Sequence, residues 1–164
     1  MKNLLIILAL LLAAVLQTTA VPFLAFKGVS PNLILVLILF LVIWKGFKQA
    51  WWIIVLAVLF YDNFAGLFFG LISLSMVVIA YLIDWLNRTV FSKVRFWIVA
   101  GLVAGGTLGY NLLLVVLDRL FQGILTFDLK YVLIEAAYNS LLAAFLFIPA
   151  KRIFNRVKNR KYGA

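Results

Sequence analysis

Glu135 is the one ionisable residue that falls clearly inside an apolar stretch, the run from Leu129 to Pro149. A carboxyl group in hydrocarbon is expensive to keep, so such a residue is a functional candidate by default. Asn139 follows four residues on and shares its helical face. Two readings stand open for Glu135. It makes a polar contact between helices or with a partner protein, or it reaches the outer interface beside Lys130 or Tyr131. Asp62 ends another apolar run, where a carboxylate suits a helix N-cap or a loop at a positive helix end. Asp84 precedes Arg88 by four residues, the spacing of an ion pair on one helix face. Asp118–Arg119 and Asp128–Lys130 read as solvated loop charges.

What is missing narrows the chemistry. Cysteine and histidine are both absent, which removes disulfides, thiolate nucleophiles and the commonest general base and metal ligand. There is no phosphate-cradling G-x-x-x-x-G-K-[ST] loop and no H-E-x-x-H pair. No two or three acids share a helix to hold a divalent ion. Ser73, Ser75, Ser92 and Ser140 have no histidine beside them and no lysine at membrane depth to act as base. The expectation is a non-enzymatic protein with no metal and no cofactor.

The elements that position these residues are helices in a membrane. Of 164 residues, 67% are hydrophobic, with a mean hydropathy of +1.18. A soluble domain is usually about 45–50% apolar, whereas lipid tolerates helices that are apolar all round. The expected fold is all-α: a polytopic integral membrane protein of about six transmembrane helices. Spans run near Asn3–Phe26, Asn32–Trp44, Gln49–Phe60, Phe64–Trp85, Phe96–Leu117 and Leu129–Pro149. A signal-peptide reading of the first run gives way to a retained span, because apolar character resumes through Phe26. The second and third runs are too short to cross about 30 Å of hydrocarbon unaided. They thin the bilayer, borrow flanking residues or form a partly re-entrant pair, or else join into one kinked unit that gives fewer full crossings.

Charge sets the orientation. The chain carries 15 Lys and Arg against 5 Asp and Glu, a net charge of +10. In a soluble protein that would suggest nucleic acid, but here the basic residues flank the apolar runs, so no nucleic-acid partner is expected. With the N-terminus cytoplasmic, Lys2, Lys45, Lys48, Arg88, Lys93, Arg95 and the tail face inward, leaving Lys27, Arg119 and Lys130 outside. Both termini are then cytoplasmic. Residues 1–150 form one transmembrane domain and 151–164 a basic tail. Lys151, Arg152, Arg156, Lys158, Arg160 and Lys161 of that tail suit anionic lipid headgroups. Trp44, Trp51, Trp52, Trp85 and Trp97 fall near inner span ends, as an interfacial belt would place them.

Small residues recur at spacings that allow helices to approach closely. They are Ala9 and Ala13; Gly66 and Gly70; and Gly101, Gly105 and Gly109. Intramolecular packing is the simpler use, and a homodimer face the alternative.

Several of these features, in order, resemble the MreD family of bacterial rod-shape-determining proteins. Gln17-Thr18-Thr19 resembles its polar break late in the first span. Pro31-Asn32-Leu33 resembles its Pro-Asp-Leu opening of the second, with Asn32 in place of the usual Asp. Lys45-Gly46-Phe47 resembles its short turn. Asp62, with Gly70 eight residues on and the Tyr81-Leu82 pair later, resembles the Asp that ends one span and the Gly early in the next. Phe60-Tyr61 departs from the aliphatic residues common before that Asp. The resemblance implies a scaffold of the cell-elongation complex in the bacterial cytoplasmic membrane. Such a scaffold pairs with MreC, a bitopic membrane protein. Through it, cytoplasmic MreB filaments connect with a RodA-type glycosyltransferase and its penicillin-binding partner. It also implies a fold similar to the six-helix substrate-binding subunits of energy-coupling-factor vitamin transporters, and such a subunit is the competing function. On either reading Pro31, Asn32, Asp62, Gly66, Gly70, Glu135 and Asn139 are the structural or partner-binding candidates.

Overall fold

A computed structural model describes the backbone of residues 2–64, 66, 68–91, 95–121, 123 and 125–162. It describes their side chains except those of residues 2, 3, 5 and 153–162. Ser92 and Lys93 therefore lie outside the described residues, as do the side chains of Lys2, Arg156, Lys158, Arg160 and Lys161. The described chain is all-helical apart from an isolated bridge between Phe26 and Val29. Six α-helices follow in order: α1 (Lys2–Thr19), α2 (Leu33–Lys45), α3 (Phe47–Asp62), α4 (Leu71–Val90), α5 (Phe96–Phe121) and α6 (Leu129–Tyr162). A 3₁₀ turn, Val21–Leu24, follows α1. Among the described residues, three stretches are long and apolar enough to cross a membrane: Leu71–Val90, Phe96–Phe121 and Leu129–Arg152.

The 13-residue α2 explains how a short apolar run is used. At 1.5 Å per residue it is about 20 Å long. Its consecutive positions Ile38, Leu39, Phe40, Leu41, Val42 and Ile43 are all buried. Successive helical residues point about 100° apart, so burial at every position means protein on every side. α2 packs against α1, α3, α4, α5 and α6. The surrounding helices therefore shield it, and its own length need not match the bilayer. By contrast α1, α5 and α6 leave large apolar side chains exposed, among them Leu8, Leu12, Leu112, Leu141 and Phe145. Such faces suit lipid rather than water.

Several expectations require correction. The fourth helix begins at Leu71, not near Phe64. Gly66 and Gly70 adopt φ of 69° and 99°, a left-handed backbone that glycine alone reaches cheaply and that no α-helix contains. They shape the turn before α4 and are not a helix-packing pair. In α1, Ala13 is buried while Ala9 is exposed, so the two do not form one packed face. In α5, Gly101 and Gly105 border open space, and the close approach is made by Gly106 and Gly109. A Cβ added at Gly106 would lie 2.7 Å from Leu39 Cδ1 of α2, and one at Gly109 would lie 3.0 Å from Ile79 Cδ1 of α4. The last helix does not stop at Pro149 but runs through it to Tyr162. Proline removes one backbone donor from a helix, yet the helix continues on both sides. Trp44, near the end of α2, also packs within the bundle: it stacks on Phe40 at 4.8 Å and meets Phe147 at 5.8 Å.

Candidate functional site

The polar residues converge where α2 begins. A helix N-terminus leaves backbone N–H groups without partners, and away from water each must be satisfied. Asn32 is the N-cap of α2, and its side-chain oxygen accepts from the Leu35 N–H at 3.1 Å. Its own N–H donates to Asn139 Oδ1 of α6 at 2.7 Å. Gln17, in the last turns of α1, completes the clamp from the other side. Its Oε1 accepts from the Leu33 N–H at 2.7 Å and its Nε2 donates to the Pro31 carbonyl at 3.0 Å. Pro31 has no N–H to satisfy, which suits it to this dry position.

The clamp extends into the α5–α6 pair. Asn139 Nδ2 donates to Thr107 Oγ1 at 3.0 Å, and Thr107 in turn donates to the Val103 carbonyl. Asn111 Nδ2 donates to Glu135 Oε2 at 2.8 Å and to the Thr107 carbonyl at 3.0 Å. Thr107 and Asn111 are spaced i,i+4 on one helix, and Glu135 and Asn139 are spaced i,i+4 on its antiparallel neighbour. One face per helix therefore supplies two polar rungs. Glu135 has the side chains of Asn111, Asn32 and Asn139 for polar neighbours. Tyr61, Tyr110 and Tyr131 lie within electrostatic reach of it. Glu135 is only 6% exposed, so of its two readings the observed geometry is the contact between helices. The neutral carboxamide at position 32 is compatible with this neighbour. An aspartate there would set a second carboxylate against Glu135, and two such charges in a low-dielectric site repel strongly.

A second polar joint holds the turn between α3 and α4. Asp62, 4% exposed at the end of α3, accepts from the Gly70 N–H at 2.9 Å and the Ser73 N–H at 3.3 Å. The Ser73 hydroxyl donates to the same oxygen. A carboxylate at the positive end of a helix, bound to its free N–H groups, is favoured by both charge and hydrogen bonding. The acid thus caps α4 from the preceding helix, across the loop containing Gly66.

The opposite end of the bundle is built from different groups. Arg88 Nε donates to Asp84 Oδ1 at 2.8 Å, the i,i+4 pair expected from spacing. Asn87 Nδ2 donates to the Ile43 carbonyl at 3.4 Å, tying α4 to the end of α2. Gly46, φ 88°, ends α2 and starts α3. A Cβ there would overlap the Arg88 guanidinium.

Sequence reasoning missed four participants. Gln17 was legible only as a polar break, and Thr107, Asn111 and Asn87 were not singled out. The signal for two of them was present: polar i,i+4 pairs in both arms of one helical hairpin. Asp118 was misread as a solvated loop charge. It lies within α5, is fully buried, and its Oδ2 accepts from the Leu125 N–H at 2.7 Å. Its Oδ1 has no hydrogen-bond partner among the described residues. Asp128 does lie exposed, accepting from the N–H groups of Lys130 and Tyr131 at the start of α6.

In chemical terms the α2 site is a hydrogen-bonded clamp. Its donors and acceptors are mutually engaged. Among the described residues no three His, Cys, Asp or Glu side chains gather to hold a metal ion. Comparison of the chain with known protein families, with curated proteins and with solved structures finds no match.

Proposed function

We propose that this chain is a non-enzymatic membrane scaffold of the MreD type. It crosses the bacterial cytoplasmic membrane six times with both termini cytoplasmic. It binds an MreC-like bitopic protein and so links MreB filaments to lateral peptidoglycan synthesis by RodA and a penicillin-binding protein. One observation carries this reading. Several of the residues on which the resemblance rests hold helix joints. Asn32 caps α2, Gly46 turns α2 into α3, and Asp62 caps the α4 turn that contains Gly70. A scaffold needs such joints, because its function is to present helix faces in fixed relation.

The test is genetic and biochemical. Deletion of the gene in its rod-shaped host rounds the cells, and the tagged chain solubilised in mild detergent co-purifies with the MreC-like protein. Normal rods together with no such association overturn the proposal. Nanomolar binding of a vitamin by the purified chain would instead support the transporter-subunit function.

A further inference from the structure

The loop between α1 and α2 and the start of α6 enclose an open pocket of about 210 Å³, lined by Lys27, Val29, Asp128, Lys130, Tyr131 and Ile134. The end of the bundle that holds it carries few basic residues. Only Lys27, Arg119 and Lys130 fall there in sequence, against the many at the other end. Two of these three converge on the one pocket. Lys27 also sits on a backbone that its residue type disfavours. Phe26 and Val29 pair across a two-residue turn in which Lys27 has φ 51° and Gly28 φ 79°. Both positions of such a turn are left-handed, and Asn, Asp or Gly are the usual occupants. The lysine sits in this tight turn with its ammonium 5.4 Å from the Phe26 ring centroid. Asp128, which lines the same pocket, offsets one of the two cations and leaves one in excess. Its Oδ1 is turned to the Lys130 and Tyr131 N–H groups, and two lysines against one aspartate keep the pocket net positive. Beside it stand exposed Phe23, Leu24, Phe26, Phe127 and Leu129.

We infer that this pocket binds the phosphate of a phospholipid headgroup in the leaflet at that end of the bundle. Lys27, Lys130 and Tyr131, all lining it, carry the donors that the oxygens of a phosphodiester accept from. The apolar side chains beside them match the acyl chains that follow it. An acidic protein segment would find the cations but no use for that apolar surround, which favours the lipid. The inference rests on the reading of these helices as membrane-spanning and not on any role in cell elongation.

The test uses the full chain purified in detergent, with lipid adducts counted by native mass spectrometry. Probes are phosphatidylglycerol, phosphatidylcholine and diacylglycerol. The wild-type chain retains both phospholipids and loses diacylglycerol. Lys27→Ala/Lys130→Ala weakens phosphatidylglycerol retention roughly 30-fold, the combined effect of two basic residues near a charged headgroup. Lys27→Arg/Lys130→Arg retains it, and Lys151→Ala/Arg152→Ala at the other end leaves this adduct in place. Lys27→Gly separates binding from folding: it suits the left-handed backbone, so the helical melt holds or rises while retention falls. Equal retention by Lys27→Gly and the wild type, equal retention of diacylglycerol, or displacement of phosphatidylglycerol by an oligoglutamate peptide at micromolar concentration each overturn the inference. Failure to recover an MreC-like partner leaves this result unchanged.

Discussion

The two ends of the short helix α2 are held by different balances of chemistry: one by amides, the other by an ion pair with a single amide, Asn87, on the Ile43 carbonyl. At its N-terminus, neutral amides from α1 and α6 meet the backbone, with one acid, Glu135, nearby. At its C-terminus, a glycine turn lies against a half-exposed arginine paired with Asp84. The difference follows from depth. Buried groups must find partners inside the protein, and amides do so without the desolvation penalty of an ion. A partly exposed ion pair is screened and contributes little, but its cation suits a cytoplasmic surface. The clamp is therefore expected to carry stability, and the basic end to carry orientation.

That contrast can be broken in graded steps. The largest effect is expected from Asn139→Ala. It strips the Asn32 N–H and Thr107 of their partner in a fully buried site and costs about 3 kcal/mol by the scale for orphaned buried groups. Chemical denaturation in detergent micelles measures it, and a loss below about 0.5 kcal/mol would make the clamp incidental. Asp62→Ala comes next, costing about 2 kcal/mol because a charged cap with two backbone partners is lost. Gly46→Ala follows, at about 1 kcal/mol for a side chain at positive φ, with the Arg88 guanidinium moving aside. Arg88→Ala should cost least, about 0.5 kcal/mol, since its side chain is 60% exposed. Reversal of the first and last would abolish the distinction between the two ends. Glu135→Gln sharpens it. Glutamine still accepts from Asn111, so melting should change little, whereas Glu135→Leu should destabilise by leaving that amide only its bond to the Thr107 carbonyl.

What was legible in the sequence is local. Asp84–Arg88 lie one helical turn apart, and Asp62 could be read as a cap because helix ends attract acids. Pro31-Asn32 marks a helix start by residue type alone. Other features are set by the register of separate helices, which no single stretch encodes. Gly106 packs against α2 and α4 while the equally regular Gly101 and Gly105 do not, because only the rotation of α5 in the bundle decides which face is inside. Asp118 looked like a loop residue because Arg119 follows it, yet α5 extends past both. The α2 joint was half visible: its cap was legible, but its partners Gln17 and Asn139 lie 16 and 107 residues away along the chain.

The distinction between the two ends has functional meaning only if they face opposite sides of a membrane. The chain contains no cysteine, so single cysteines can be placed at Lys27 and Lys48 without background. Labelling intact cells with a membrane-impermeant maleimide tests this directly. Lys27→Cys should react from outside, and Lys48→Cys should react only after the membrane is permeabilised. Reaction of both from the same side would contradict the account.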